Sequence, residues 1–269
     1  MTALPACWQI GRGRPDRISD GRDGSVVEIH GVAIDRVGPD LAVLEACLTG
    51  DERARGARFR RHEDRTRFVV GRALLRRELS RRLCVEPDEI PIVIGPAGKP
   101  FVAWPNGSCP WRFNLSHSGR MVLVAIGSVE LGVDVEEIVA DRRAAAIARQ
   151  FFAGEEVQAI ESQPPECRRA AFFTTWTRKE AVLKAIGSGL RAPLDTVQVP
   201  VVSGPSSSLL AGPLEAVVGC WSLWHIPIGA DHVAALAVRG PVSRLRLVSH
   251  DLDGEQFEES DGVSPGACA

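Results

Sequence analysis

The order in which apolar periodicity changes along the chain constrains its fold more than any single motif. Val26 to Ile34 alternates as a strand does, and Leu41 to Gly56 then has helical spacing. From Asp64 to Leu83 the residues Phe68, Leu75, Leu79 and Leu83 recur at helical intervals and leave Arg65, Arg72 and Arg76 on other faces, which predicts one long amphipathic helix. Met121–Ile126 is β-rich, a turn through Gly127-Ser128 follows, and Leu131–Val135 resumes a strand, so this pair is expected to form a hairpin. Helical patterns return over Asp141–Phe152 and Glu166–Ile186, broken by Pro164-Pro165 and ended by Gly187 and Gly189. Strands are expected at 196–202, 214–226 and 232–238, with a turn at Gly229-Ala230-Asp231. The order β, α, α, β, β and then α, α, β, β, β predicts an α+β fold of two halves with similar plan. No direct sequence repeat accompanies it.

With 269 residues, 45% of them apolar and 25% charged, the chain can bury a real core as one large domain or two of roughly 100–150 residues. Residues 1–27 are polar and without period, which predicts a flexible extension, and residues 249–269 are expected to be an acidic disordered tail. The seven cysteines are scattered and never spaced as C-x-x-C, which argues against a disulfide framework or a structural zinc site and for a reducing cytoplasm. The apolar run Met121 to Ile126 is far too short for a bilayer, and the first residues lack the apolar core of a signal peptide. No membrane association is expected.

The net charge of −2 hides two opposed blocks. Residues 53–82 hold twelve arginines against Glu63, Asp64 and Glu78, whereas residues 251–269 hold six acids and no base. The first block suits phosphates; the second is a solvated tail. Lysine is scarce, with Lys99, Lys179 and Lys184 standing against 29 arginines. A lysine offers a compact, rotatable ammonium that fits a crowded phosphate site as a point charge, so each of the three draws attention.

In Gly132-Val133-Asp134-Val135-Glu136 the valines share one strand face and the two carboxylates the other, because strand side chains alternate. An isolated D-x-E is ordinarily a solvated strand face. In Trp176-Thr177-Arg178-Lys179-Glu180-Ala181-Val182-Leu183-Lys184, helical by propensity, Glu180 and Lys184 stand at i and i+4, by themselves a surface ion pair. If Glu180 joins Asp134 and Glu136, three carboxylates suit a hard cation such as Mg2+, and Lys184 meets the same phosphate. Phe113-Asn114-Leu115-Ser116-His117-Ser118-Gly119 sets a hydroxyl beside an imidazole. Neighbours on a strand point to opposite faces, so a nucleophilic Ser-His pair is awkward, and phosphate binding or a plain polar turn is easier to defend. Gly98-Lys99-Pro100 by itself is a turn with a lysine.

Taken in register, G-K-P, F-N-L-S-H-S, G-V-D-V-E, F-F-A-G-E-E and W-T-R-K-E-A-V-L-K-A-I-G-S-G-L resemble the signature of the 4'-phosphopantetheinyl transferases of the Sfp type, and all three lysines fall inside these motifs. The resemblance runs in matched motifs from about Arg53 to Leu194. It implies a pseudo-twofold pair of α+β subdomains, here 28–130 and 131–248, with the active site at their junction and a monomer as the working unit. It also implies Mg2+-dependent transfer of the phosphopantetheine arm of coenzyme A to a serine of apo acyl, peptidyl or aryl carrier proteins, releasing adenosine 3',5'-bisphosphate. Length favours this type over the smaller trimeric class, and with it a role in polyketide or nonribosomal peptide assembly.

By the same resemblance Asp134, Glu136 and Glu180 hold the metal and act in catalysis with Lys184. The proton of the attacking serine goes to a carboxylate at this centre, Glu180 foremost, with Glu136 or a metal-bound water left open. Ser116 and His117 contact phosphate, Lys99 and Pro100 lie on the adenine and ribose side, Arg67 meets the 3'-phosphate, and Arg55, Lys179 and Lys184 complete the coenzyme contacts. Two other classes compete: a coenzyme A-binding module without catalysis, which the intact carboxylates and Lys184 argue against, and a nucleic-acid surface over residues 53–82. The latter leaves the acidic residues unexplained, and a chain with no tyrosine offers few rings for base stacking.

Overall fold

A computed structural model describes residues 25–36, 41–104, 107–140, 143–187, 193–201, 206–208, 221–240, 242–250 and 256–261. Residues 1–24, most of the expected extension, lie outside them; residues 25–27 open the first strand.

The first half consists of β1 (Ser25–Ala33), short helices α1 (Leu41–Glu45) and α2 (Gly50–Gly56), the long α3 (His62–Leu83), the ribbon β2 (Ile92–Ile94) with β3 (Pro100–Val102), and the strands β4 (Arg112–Ser118) and β5 (Met121–Gly127). The second half holds β6 (Leu131–Glu137), α4 (Ala144–Phe151), α5 (Gly154–Glu161), α6 (Arg168–Ile186), β7 (Ser206–Ser208), β8 (Trp221–Ile226) and β9 (His232–Arg239), followed by β10 (Val242–His250) and β11 (Gln256–Asp261). One sheet has the order β11-β10-β1-β5-β4 and another β6-β9-β8-β7.

The sheets pack face to face between the two long helices. Strand alternation decides which side chain goes where. In β5, Val122, Val124 and Ile126 pack under α3 with Val69, Leu75 and Leu79. Leu123 and Ala125 of the same strand meet Val133, Val135, Leu236 and Val238 of the other sheet. Ala235 and Ala237 of β9 face α6 through Ala181 and Ala185. The continuous apolar run of β5 thus marks a strand covered on both faces.

Four expectations need correction. The stretch 41–56 is two helices, because Thr49 caps a new start: it accepts from the Glu52 N–H at 3.2 Å while Glu52 accepts from the Thr49 N–H at 3.1 Å. Residues 121–126 and 131–135 are not a hairpin. β5 pairs with β4 across a two-residue Gly119-Arg120 turn, and β6 pairs with β9 in the other sheet. Residues 197–201 form no strand, since buried side chains satisfy their backbone: Lys179 donates to the Leu194 and Val197 carbonyls, Arg178 to that of Pro200, and the Val199 N–H donates to Glu156 at 2.8 Å. Finally, the chain does not end as a free tail at 249. β10 returns to the first sheet parallel to β1, with Ile29 opposite Leu247, and β11 pairs with β10. The expected subdomain 131–248 therefore gives its last strand to the other half. The remainder of the tail lies outside the described residues, as does Gly189.

Candidate active site

β4 and β6 are the facing edges of the two sheets, and no backbone ladder joins them. Side chains do so instead. Asn114, Ser116 and Ser118, spaced by two on β4, accept hydrogen bonds from the backbone N–H groups of Val133, Val135 and Glu137 at 3.0, 3.3 and 3.1 Å. This seam turns Gly132, Asp134 and Glu136 toward α6. Gly132 makes close approach possible: a Cβ there would lie 2.2 Å from the Ala181 carbonyl oxygen and 2.3 Å from the Ala185 nitrogen. The helix backbone rests on the strand, and Glu180 and Lys184 arrive beside the carboxylates of β6.

Lys184 Nζ donates to Asp134 Oδ1 at 2.6 Å and to Ser116 Oγ at 2.8 Å. The Ser116 hydroxyl donates in turn to Asp134 Oδ1 at 2.8 Å. Glu136 accepts from the Trp176 indole at 3.2 Å on one oxygen and from Ser118 at 2.9 Å on the other. Asp134 Oδ2 and Glu180 Oε1 are buried without a hydrogen-bond partner. Burial, and then the charge of Asp134, push the Glu180 carboxyl up to about 7. Burial also raises Asp134 against the pull of Lys184, and raises Glu136 with help from Asp134.

Asp134, Glu136 and Glu180, with two orphaned oxygens among them, could hold a hard divalent cation, whose charge would offset the burial and the Asp134 repulsion that raise Glu180. The oxygens of the three do not all lie within 4.8 Å of one another, and Lys184 takes Asp134 Oδ1.

The other expected residues divide. Arg67 donates to the Gly119 carbonyl at 2.6 Å and pairs with Asp64, next to His117 on the opposite face of β4 from Ser116. Partial desolvation, and then the charge of Arg67, lower the His117 pKa, although the residue reaches solvent. Arg55 lies at the surface with its guanidinium 5.3 Å from the Phe68 ring. Lys99 clamps the halves: its ammonium donates to Glu130 at 2.9 Å, to the Leu131 carbonyl at 3.2 Å and to the Ala185 carbonyl at 2.7 Å. Lys99 and Pro100 border a 560 Å³ cavity with Phe101, Trp104, Trp111 and Arg112.

Lys179 is a correction. It is fully buried, 2.6 Å from Glu156 and bound to the Leu194 and Val197 carbonyls, so it cannot reach a coenzyme. Its neighbour in the motif belongs to the site and Lys179 to the interior, because adjacent helix positions diverge by about 100°.

The superfamily pattern of the 4'-phosphopantetheinyl transferases matches residues 130–237, and that of the transferase N-terminal domain matches residues 37–129. The 4'-phosphopantetheinyl transferase HetI of Nostoc is 33% identical over 215 residues, 80% of this chain and 88% of that one. The psf-1 transferase of Bacillus pumilus is 32% identical over 76% of this chain and 91% of its own. The chain belongs to the 4'-phosphopantetheinyl transferase family. A relative from Synechocystis is 38% identical over 160 residues, 59% of this chain and 65% of its own length.

As a 4'-phosphopantetheinyl transferase the protein moves the phosphopantetheine arm to carrier proteins. Sequence reasoning missed two side chains that this transferase uses to orient Glu136. Ser118 continues the period of two from Asn114 and Ser116, and Trp176 stands one helical turn before Glu180, so both signals were present in the spacing.

Proposed function

We propose that this transferase is of the Sfp type and loads carrier domains of nonribosomal peptide and polyketide synthases from coenzyme A. In this reading Asp134, Glu136 and Glu180 hold Mg2+. Support comes from two α+β halves in one chain and from 29% identity to the Sfp transferase of Bacillus subtilis over 179 residues. A single chain carrying both halves of the seam has no need of a second copy, so we assign a monomer; seven scattered cysteines with no C-x-x-C spacing favour a reducing cytoplasm for it.

The observation that carries the reading is the Lys184–Asp134–Ser116 cluster set against Glu180 where the two sheets meet. Bound Mg2+ would neutralise negative charge on the pyrophosphate as the phosphorus–oxygen bond breaks. The chain's own groups do the rest. The serine hydroxyl of the carrier attacks the β-phosphorus, the bond to the α-phosphate oxygen breaks, and adenosine 3',5'-bisphosphate leaves. Lys184, 28% exposed, is placed to turn its ammonium from Asp134 to a phosphate oxygen. Glu180 takes the hydroxyl proton: its Oε1 is buried without a hydrogen-bond partner and is open to accept one. Glu136 is the poorer candidate, since Trp176 and Ser118 occupy its two oxygens.

For the coenzyme, Ser116 and His117 lie on the phosphate side, and Arg67 and Arg55 supply charge for the 3'-phosphate. The cavity at Pro100, Trp104 and Trp111 offers apolar walls to the adenine, with Lys99 and Arg112 at its border. Arg112 stands four strand residues from Ser116, roughly 13 Å along the seam, so one extended molecule can touch both.

The test is to incubate the purified chain with Mg2+, coenzyme A and apo peptidyl, polyketide-type and fatty-acid-type carriers, and to read the phosphopantetheine mass on each. Rapid loading of the first two, abolished by a chelator, is expected. Loading of the fatty-acid carrier alone, or loading indifferent to the chelator, would overturn the reading.

A further inference from the structure

A second cluster of ligating side chains lies outside the seam, two strands from β4 and under the C-terminal half of α3. His30 comes from β1, Glu78 from α3 and His250 from the end of β10. Each offers one ligand atom, and these atoms all lie within 4.8 Å of one another, the only such trio of His, Cys, Asp or Glu among the described residues. His30 and Glu78 are 3% and 2% exposed. His30 Nδ1 is 2.9 Å from His250 Nε2. The other nitrogen, His30 Nε2, is buried without a hydrogen-bond partner, 3.7 Å from Glu78 Oε2 and 3.5 Å from Glu28 Oε2.

We propose that His30, His250 and Glu78, with Glu28 beside them, form a structural site for a divalent transition ion of the zinc class. Two imidazoles with carboxylates are the borderline donors such ions prefer, whereas Mg2+ favours oxygen alone. Ligands around tetrahedral zinc stand about 3.3 Å apart, so the carboxylates are already near the right distance from His30 Nε2. His250 joins by giving up its contact with His30 Nδ1.

Positive neighbours set the condition for binding. Glu78 pairs with Arg81 at 3.0 Å and Arg82 at 3.1 Å, and Glu28 pairs with Arg82 and, at 3.1 Å, with Arg246; Arg77 also bears on His250. The ion must displace Arg82 from one carboxylate. That guanidinium already lies 5.4 Å from the Trp111 ring centroid and keeps that contact. That carboxylate oxygen is then open to the ion while Arg81 and Arg246 keep their own pairs, and the site ties β10 to β1 and α3, elements that the chain separates by up to 220 residues.

The full chain is stripped with chelator, saturated with Mg2+ to occupy the seam carboxylates, and titrated with Co2+ as a spectroscopic stand-in and then with Zn2+. One equivalent is expected, with a tetrahedral Co2+ absorption and a rise of at least about 3 °C in the unfolding midpoint. His250→Gln should weaken binding at least about 100-fold while leaving Mg2+-dependent transfer intact; His250 ends a strand, so this variant tests the site even if His30→Gln does not fold. The double variant Asp134→Asn, Glu180→Gln should keep the equivalent. Binding unchanged by His250→Gln, binding lost in the seam double variant, or no binding by the unaltered chain would each overturn the proposal.

Discussion

Lys184 Nζ lies 2.6 Å from Asp134 Oδ1, joining the last full turn of α6 to the edge strand of its sheet, and Ser116 of the other sheet holds the same oxygen at 2.8 Å. One carboxylate oxygen thus ties three elements and both halves of the molecule. Asp134→Asn keeps the shape of the group and removes its charge. It should slow transfer at least about 100-fold, because it weakens the donor set that would hold the cation and loosens its hold on Lys184; Lys184→Met should do the same by removing a positive charge from the reacting pyrophosphate. Steady-state kinetics should place the loss in kcat. A change confined to KM for coenzyme A would assign these groups to ground-state binding alone.

Glu180 makes stability depend on pH in an unusual direction. Its folded pKa of about 7 exceeds the ordinary 4.5, so between these values the folded chain holds a proton that the unfolded chain releases. Its contribution therefore turns unfavourable as pH rises from about 4.5 and levels off above about 7. Glu180→Gln should stabilise the metal-free protein by about 1–2 kcal/mol at pH 8, allowing for solvent screening of a half-buried group, and make no difference at pH 4. Urea unfolding of the two proteins at both pH values measures this. For the same reason the apparent affinity for Mg2+ should fall as pH drops below about 7.

Gly132→Ala tests the contact that assembles the site. The new Cβ meets backbone atoms of Ala181 and Ala185, which cannot turn aside as a side chain tip could. Helix and strand must separate, at a cost of about 1–3 kcal/mol, and Glu180 and Lys184 move off Asp134. A lowered unfolding midpoint with transfer reduced more than 10-fold is expected; unaltered activity would show that the close approach is dispensable.

Lys179 separates structure from chemistry within a single motif. Lys179→Met leaves Glu156 buried without its cation, a loss of about 3–5 kcal/mol, while KM for coenzyme A in the surviving folded fraction stays unchanged. Adding Glu156→Gln should recover part of the stability. Thermal unfolding with substrate kinetics on both variants distinguishes this from a coenzyme contact, which would raise KM.

Much of this was legible in the residue order, for local reasons. A period of two put Asp134 and Glu136 on one strand face, and a spacing of four put Glu180 and Lys184 on one helix face, because these are properties of the backbone itself. The long helices α3 and α6 were readable from their apolar intervals, and the family motifs carried the chemistry. Lys179 was misread because the motif gave no sign of which face α6 would bury.

Tertiary structure alone decided the rest. Strand pairing is a long-range choice: the polar residues of β4 gave no sign that they would stitch it to β6, and the apparent hairpin at 121–135 spans two sheets. The return of β10 alongside β1, and with it the meeting of His30, Glu78 and His250, joins segments that no local pattern relates. Alternation and helical spacing set which way a side chain points; only packing of the whole chain, where buried polar groups must find partners, set what it meets.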